Sequence, residues 1–309
     1  MKCLIYNKFV KNILERKLII TAAKGMKDIL PDESYSWHIF EENAKKILGD
    51  YFYQEIRTPI IERSNLFHRS VGELTEVSKQ TYKLDNRGEY SISLRPEGTA
   101  GCVRSIIEHN LLRNEKIQKI WYMGPMFRYE RPQKGRYRQF HQLGVEVFGN
   151  SHISQEVELI NIFWRLLKSL GLSDFVKLEI NSLGNAKEQN TFKQHLLKFL
   201  KPFEVNLDDI SKNSLLKNPL RILDTKNEYL KGILKNAPKI LDFIDMKSKE
   251  NFNILYRYLK TNRIPVKINQ NLVRGLDYYS GNVFEWVTDM VGSQNSICGG
   301  GRYDHLVSS

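Results

Sequence analysis

Cysteine is scarce in this chain. Cys3, Cys102 and Cys298 are the only three among 309 residues, and no Cys-x-x-Cys pair occurs. That excludes a disulfide framework and a cysteine-built zinc site, and it fits a reducing cytoplasm. Long apolar runs are missing as well: none approaches the roughly 18 residues of a membrane span, so no membrane partner is expected. The seven histidines show no His-x-His or His-Glu-x-x-His spacing, and no metal ligand is assigned. Gly-x-Ser-x-Gly, P-loop and Rossmann glycine patterns are all absent, which removes the common signatures of a serine nucleophile and of two nucleotide-binding folds. There is no internal repeat and no long low-complexity tract.

What is present is ordinary in composition and unusual in charge. Hydrophobic residues make up 41% and charged residues 27%, and the length suffices for a sizeable core and two domains. The formal net charge of +12 favours a polyanionic partner, and a nucleic acid gains most from such a field. Lysine abundance along the whole chain is an equally good source of that charge. Residues 1–23 are basic with a single acid, Glu15, and poor in serine and arginine. They read as a short N-terminal extension rather than a transit peptide.

Periodicity gives the elements. Trp37, Phe40, Ala44, Ile47, Leu48 and Tyr51 share one face of a helix over Glu33–Tyr51. An extended segment, Glu55–Ile61, follows; its Pro59 suits an edge. Short strands are expected near Thr81–Leu84 and Ser91–Leu94, joined by an Asp85–Gly88 turn, then a helix over Thr99–Leu112. Ser154–Leu170 is helical, with early acids, Lys168 late and Gly171 as its stop. Phe175–Ile180 alternates as a strand. From about Asn185 to Arg263 helix signals replace strand signals, with short helices at Gln194–Leu200 and Lys249–Lys260. Strand character returns at Val266–Asn269 and Val283–Thr288. The run Cys298-Gly299-Gly300-Gly301-Arg302-Tyr303-Asp304 must allow close backbone approach, either to cradle phosphate or as a tight strand turn packed under a site.

The most informative stretch runs from Gly124 to Gly149. It reads as two strands, Ile120–Arg128 and Gln139–Gly149, joined by a loop carrying Arg131, Lys134, Arg136 and Arg138. Arginine forks suit phosphate oxygens, so the local reading is a phosphate-handling site on an antiparallel sheet. Val145 and Val147 face one way, which puts Gln142, Gly144 and Glu146 together on the other. That face lines either a cavity or solvent. Arg128 and Glu130, two residues apart, could equally form a plain surface pair, and Arg274 could pair with Asp277.

Phe127-Arg128-Tyr129-Glu130 resembles the second motif, Phe-Arg-x-Glu, of class II aminoacyl-tRNA synthetases. The fuller run from Arg131 to Glu146, with LRPEGTAGCVR (Leu94–Arg104) and LVRGLDYYSG (Leu272–Gly281), resembles the histidyl-tRNA synthetases in particular, over roughly Lys24 to Leu306. The resemblance implies an α+β fold, a class II antiparallel sheet flanked by helices and interrupted by a helical insertion. Its parts would be the extension 1–23, a first catalytic part 24–184, the insertion 185–263 and a second catalytic part 264–309. It implies ATP-dependent activation of histidine to histidyl-adenylate and transfer to tRNA(His), with ATP as substrate, Mg2+ bridging its phosphates, and a homodimer built on the first helix and strand. The insertion would touch the acceptor arm of the tRNA; a simple helical cover is the alternative.

The same resemblance assigns residues. Arg128 and Arg274 would clamp the α-phosphate. Glu130 and Phe140 would hold adenine. Glu146 and Tyr279, with Tyr278 beside them, would read the imidazole, and Glu97, Gly98, Thr99 and Gln142 would hold the rest of the histidine. Arg131, Gln133, Arg136 and Arg138 would contact tRNA. Departures are visible: Lys24-Gly25-Met26 stands where the family has Arg-Gly-Met, and His305 where a glycine is usual. The third class II motif and an anticodon-binding domain are expected beyond Ser309. The rival expectations are a histidine-sensing regulatory subunit of ATP phosphoribosyltransferase, which shares the fold, and an inactive remnant.

Overall fold

A computed structural model of the chain describes residues 20–306, apart from 72–74, 86–87, 89, 114–116, 134, 226, 291–294 and 305. Most of the expected N-terminal extension, the centre of the Asp85–Gly88 turn, Lys134 and His305 therefore lie outside the described residues.

Helix α1 (Pro31–Asp50) opens on Pro31, with Asp32 and Glu33 in its first turn. Proline lacks an N–H that the helix start would leave unpaired anyway, and the acids face the positive end of the dipole. Strands β1 (Gln54–Glu55) and β2 (Ile61–Arg63), helices α2 (Ser64–Val71) and α3 (Glu76–Lys79), and strands β3 (Lys83–Leu84) and β4 (Ile92–Leu94) follow. Helix α4 (Thr99–Glu108) is one turn shorter than its apolar pattern suggests. The long hairpin is β5 (Gln118–Phe127) and β6 (Gln139–Phe148), paired in full register from Gln118 opposite Phe148 to Phe127 opposite Gln139. Arg128 thus lies just beyond the first strand rather than within it.

The remaining elements are α5 (Ser154–Ser169), β7 (Lys177–Ser182), α6 (Ala186–Leu200), α7 (Asp209–Lys217), α8 (Glu228–Leu234), α9 (Met246–Thr261), β8 (Val266–Ile268), β9 (Ser280–Val287) and β10 (Ser296–Arg302), with short 3-10 turns between several of them. The strands form three sheets, ordered β1-β5-β6, β10-β9-β7-β8 and β2-β4-β3. Pairing is antiparallel except at two edges, where β1 runs parallel to β5 and β8 parallel to β7.

The period of two along the hairpin separates two cores. Trp121, Met123, Leu143, Val145 and Val147 pack on α1 and α5. Ile120, Tyr122, Met126 and Phe148 turn the other way, onto α4. A third core joins the β7–β9 sheet to α5 and α9, with Trp164 and Trp286 stacked 5.3 Å apart at 4°. The helices from α6 to α8 bury Phe192, Leu196, Leu200, Leu220 and Leu230 in a core of their own that also takes in Leu272 and Val283. Helix α6 starts eight residues before the expected Gln194. Its signal is a capping box: the Asn185 side chain accepts from the Glu188 N–H at 3.1 Å, and Glu188 accepts from the Asn185 N–H at 2.6 Å. No helix of the described residues is long and apolar enough to cross a membrane.

Candidate active site

The face of β6 that carries Gln142, Gly144 and Glu146 is the floor of a cleft of about 1080 Å3, which continues round the edge of the strand. Glu146 is only 6% exposed, so the solvent-facing alternative for this strand face does not hold. Its Oε1 accepts from the Thr99 hydroxyl at 2.8 Å and the Tyr122 hydroxyl at 3.1 Å, and its Oε2 accepts from the Tyr303 hydroxyl. Burial pushes the Glu146 carboxyl up to about 7; the donated hydrogen bonds oppose the rise and the nearby Glu97 adds to it.

Glu97 is buried at the start of α4. Its two oxygens accept from the Thr99 and Ala100 N–H groups at 2.7 and 2.8 Å, closing a helix end that would otherwise leave donors unpaired. Burial raises its pKa, against those hydrogen bonds. Gly98 and Gly144 both lie against the Tyr122 ring: a Cβ on either would lie 2.0 Å from it. The absence of two side chains is what lets the Tyr122 hydroxyl reach Glu146. Gln142 lines the same cleft, and its side-chain oxygen is buried with no partner among the described residues.

Arg128 is held at the mouth of the hairpin. Its Nε donates to the Pro96 carbonyl at 2.8 Å, its guanidinium lies 4.9 Å from the centre of the Phe140 ring, and Glu130 is 3.9 Å away. The Glu130 carboxylate is nearer to Arg136, at 3.4 Å. Beyond it the loop turns at Gly135, which takes φ of +80°, with Gln133 bridged to Arg136. Arg131 and Gln133 are exposed. Arg138 covers Tyr129 at 3.8 Å and donates from Nε to the Glu130 carbonyl, while its backbone N–H donates to the Gly25 carbonyl at 2.7 Å. The Lys24–Met26 segment is thereby tied to the hairpin loop.

Arg274 enters the cleft from the loop between β8 and β9. It pairs with Glu285 at 2.7 Å, not with Asp277, which is engaged by Arg221 and Asn218. The triple glycine explains its place. A Cβ on Gly299 would stand 2.4 Å from the Arg274 guanidinium, one on Gly300 would meet the Phe284 ring, and one on Gly301 would lie 2.8 Å from the Asn282 carbonyl. The run lies in strand β10, with a register shift between Gly301 and Arg302, and not in a tight turn, and an arginine lies against its bare surface. Tyr278 and Tyr279 follow on the same loop, with ring centres 4.6 Å apart, and the Arg274 guanidinium lies 5.6 Å from the Tyr279 ring centre. The Nε of Arg274 is buried without a partner among the described residues.

Sequence reasoning missed Tyr122, Tyr303 and Glu285. Tyr122 sits directly opposite Gly144 in the register, a large residue facing a glycine, and Glu285 is a lone acid between Phe284 and Trp286; both were detectable signals. Tyr303 carries none: it meets Glu146 from 157 residues away.

These features were compared with known proteins. The family model for histidyl-tRNA synthetase matches residues 25–309. Curated relatives named histidine–tRNA ligase include that of Francisella philomiragia, 53% identical over 291 residues, and that of Francisella tularensis subsp. mediasiatica, 54% identical over the same length. Each alignment covers 94% of this chain and 69% of the relative. Among solved structures, apo S. aureus histidyl-tRNA synthetase superposes with a TM-score of 0.74 at 36% identity, covering 94% of this chain and 68% of that one. A Bacillus halodurans protein described as an ATP phosphoribosyltransferase regulatory subunit/histidyl-tRNA synthetase has a TM-score of 0.67 at 23% identity, covering 95% of this chain and 78% of its own, and shares the fold.

Proposed function

The chain belongs to the histidyl-tRNA synthetase family, and on that premise we propose that its cleft activates histidine with ATP and passes the histidyl group to tRNA(His). In the first step the histidine carboxylate attacks the α-phosphorus of ATP. The bond to the bridging oxygen breaks, pyrophosphate leaves with the electron pair, and histidyl-adenylate forms. In the second, a terminal ribose hydroxyl of the tRNA attacks the histidyl carbonyl and AMP leaves. Two anions meet in the first step, so its rate depends on positioning and on fixed positive charge at the phosphoryl oxygens.

Arg128 and Arg274 are the groups for that charge. They come from a hairpin and a distant loop, and both line one cleft with Glu146 and Tyr279; this convergence is the observation that carries the reading. Glu146 has about one acceptor position left after its three hydroxyl donors, enough for an imidazole N–H. The Tyr279 hydroxyl faces the other ring nitrogen. Glu97, Thr99 and the unpartnered Gln142 oxygen suit the substrate ammonium, with Gly98 keeping the approach open. An apolar amino acid would leave those buried acceptors unpaired, which gives strong rejection without editing. Glu130 and Phe140 take the adenine. ATP enters as its magnesium complex.

The basic turn with Arg131, Gln133, Arg136 and Arg138 takes the acceptor end of the tRNA. Exposed Tyr35, Phe52, Ile60 and Ile61, on α1 and the segment after it, support a homodimer through that face. The scarcity of cysteine fits a cytoplasmic enzyme. The test is histidine-dependent ATP–pyrophosphate exchange. Exchange that disappears in Arg128→Ala supports the ligase; histidine binding without exchange points to a sensor and overturns the proposal.

A further inference from the structure

The loop that brings Arg274, Tyr278 and Tyr279 to the cleft is seated by Leu276 and Tyr278, which pack into the core beside α4. Its first part is anchored: the Asn269 N–H donates to the Ile180 carbonyl at 3.0 Å, and the Asn181 side chain donates to the Leu272 carbonyl at 3.0 Å. From 273 to 279 the backbone joins no strand or helix, and it carries a turn at Asp277–Tyr278. Its polar side-chain ties, apart from the Arg274–Glu285 pair, come from the helical segment. The Asn218 side-chain amide donates to Asp277 Oδ1 at 2.7 Å, Arg221 donates to the same oxygen at 3.0 Å, and the Gln189 side chain donates to the Tyr279 carbonyl at 3.2 Å. Asn218 ends α7, Arg221 sits in the 3-10 turn after it, and Gln189 is in the first turns of α6. Val273 and Tyr279 also pack against the core of the helical segment, and a cavity of about 190 Å3, lined by Lys193, Leu220, Arg221, Val273, Asp277 and Tyr279 among others, lies between that segment and the loop.

We infer that Asp277 is a positioning residue: clamped by Asn218 and Arg221, it makes the helical segment set the place of Arg274 and Tyr279 in the cleft. This rests on the ligase reading for its consequence, but the clamp itself is a property of the fold. Displacing the helical segment moves the second phosphate cation and the histidine-reading phenol together, while the ATP groups on the hairpin stay where they are. A partner that docks on these helices would thus act on histidine activation without touching the reacting atoms.

The split between substrates tests it, in the full chain. Asp277→Ala loses two hydrogen bonds to a charged acceptor, so kcat for exchange should fall and KM for histidine rise, with kcat/KM down about 10- to 100-fold. KM for ATP should rise less than KM for histidine, because Arg128, Glu130 and Phe140 do not depend on the loop and only the Arg274 contact to the α-phosphate is lost. Arg221→Ala should give a smaller loss, and the double variant should lose no more than Asp277→Ala alone, since the two side chains form one contact. Gln189→Ala, an independent tie, should add to either. A second readout needs no activity: trypsin should cut after Arg274, which is half-buried in the unaltered chain, at least about tenfold faster in Asp277→Ala without a matching fall in Tm. Equal losses for both substrates, additive losses in the double variant, or unchanged cleavage after Arg274 would overturn the inference. Absence of exchange in the unaltered chain would sink the ligase reading alone and leave the cleavage result to decide the clamp.

Discussion

Replacing Glu146 with glutamine should weaken histidine binding while leaving ATP binding intact. Burial lifts this carboxyl from its ordinary 4.5 to about 7, which holds about 3 kcal/mol against the ionised form. Thr99, Tyr122 and Tyr303 donate to it, and the remaining acceptor position is what an imidazole N–H would use. Glutamine keeps the volume but presents an amide NH2 where one oxygen stood, so one donor in the cleft faces another. Losing a hydrogen bond to a charged acceptor costs about 1.5–3 kcal/mol, or roughly 10- to 150-fold in the Kd for histidine. The sign with pH is fixed. As pH falls through about 7, Glu146 takes up a proton and becomes a neutral, weaker acceptor, so histidine affinity falls in that window beyond what the ligand's own imidazole contributes; the variant lacks this component. Stability runs the other way. A carboxyl whose pKa is higher folded than unfolded stabilises the fold fully below 4.5 and loses that contribution as pH rises through about 7. Calorimetric titration of histidine, with thermal unfolding, at about pH 6 and 8 measures both. A Kd within about threefold of the unaltered chain, or the same pH slope in the variant, would refute the reasoning.

Two glycine substitutions separate packing from chemistry. In Gly144→Ala the new Cβ would stand 2.0 Å from the Tyr122 ring, which Gly98 also abuts; overpacking of this kind costs about 1–3 kcal/mol, read by denaturant unfolding. In Gly299→Ala the Cβ would stand 2.4 Å from the guanidinium of Arg274, which can swing aside by giving up its pair with Glu285. Unfolding free energy should therefore fall by only about 1 kcal/mol while the exchange rate falls about 100-fold. Lost stability with full exchange would show that the glycine serves packing alone.

The hairpin was legible because its chemistry and its geometry share a period. Valines at 145 and 147 against Gln142, Gly144 and Glu146 specify which face is core, and the register follows. The charged loop, the arginines and both tyrosines were readable through their local runs. Contacts between distant segments were not. Arg274 pairs with Glu285 rather than its near neighbour Asp277 because the triple glycine of β10 opens a slot beside β9, and nothing in LVRGLDYYSG encodes that slot. Tyr303 reaches Glu146 only because the sheets bring the end of β10 under β6. In the helical segment, α7 and α8 escaped notice: lysine and asparagine dilute their apolar spacing, and their starts rest on single side-chain caps, Asp208 and Asn227. Helix ends also drifted, as at α4, where the apolar pattern runs on after the helix stops at Glu108.

The central claim is that two guanidinium groups from distant segments meet at one phosphorus. A crystal structure of the full chain with a non-hydrolysable histidyl-adenylate analogue tests it most directly. The account predicts Arg128 and Arg274 both within hydrogen-bonding distance of the atoms that stand for the α-phosphate oxygens, with the imidazole between Glu146 and Tyr279. An analogue bound with either arginine turned away, Arg274 still locked on Glu285 and out of reach, would contradict it.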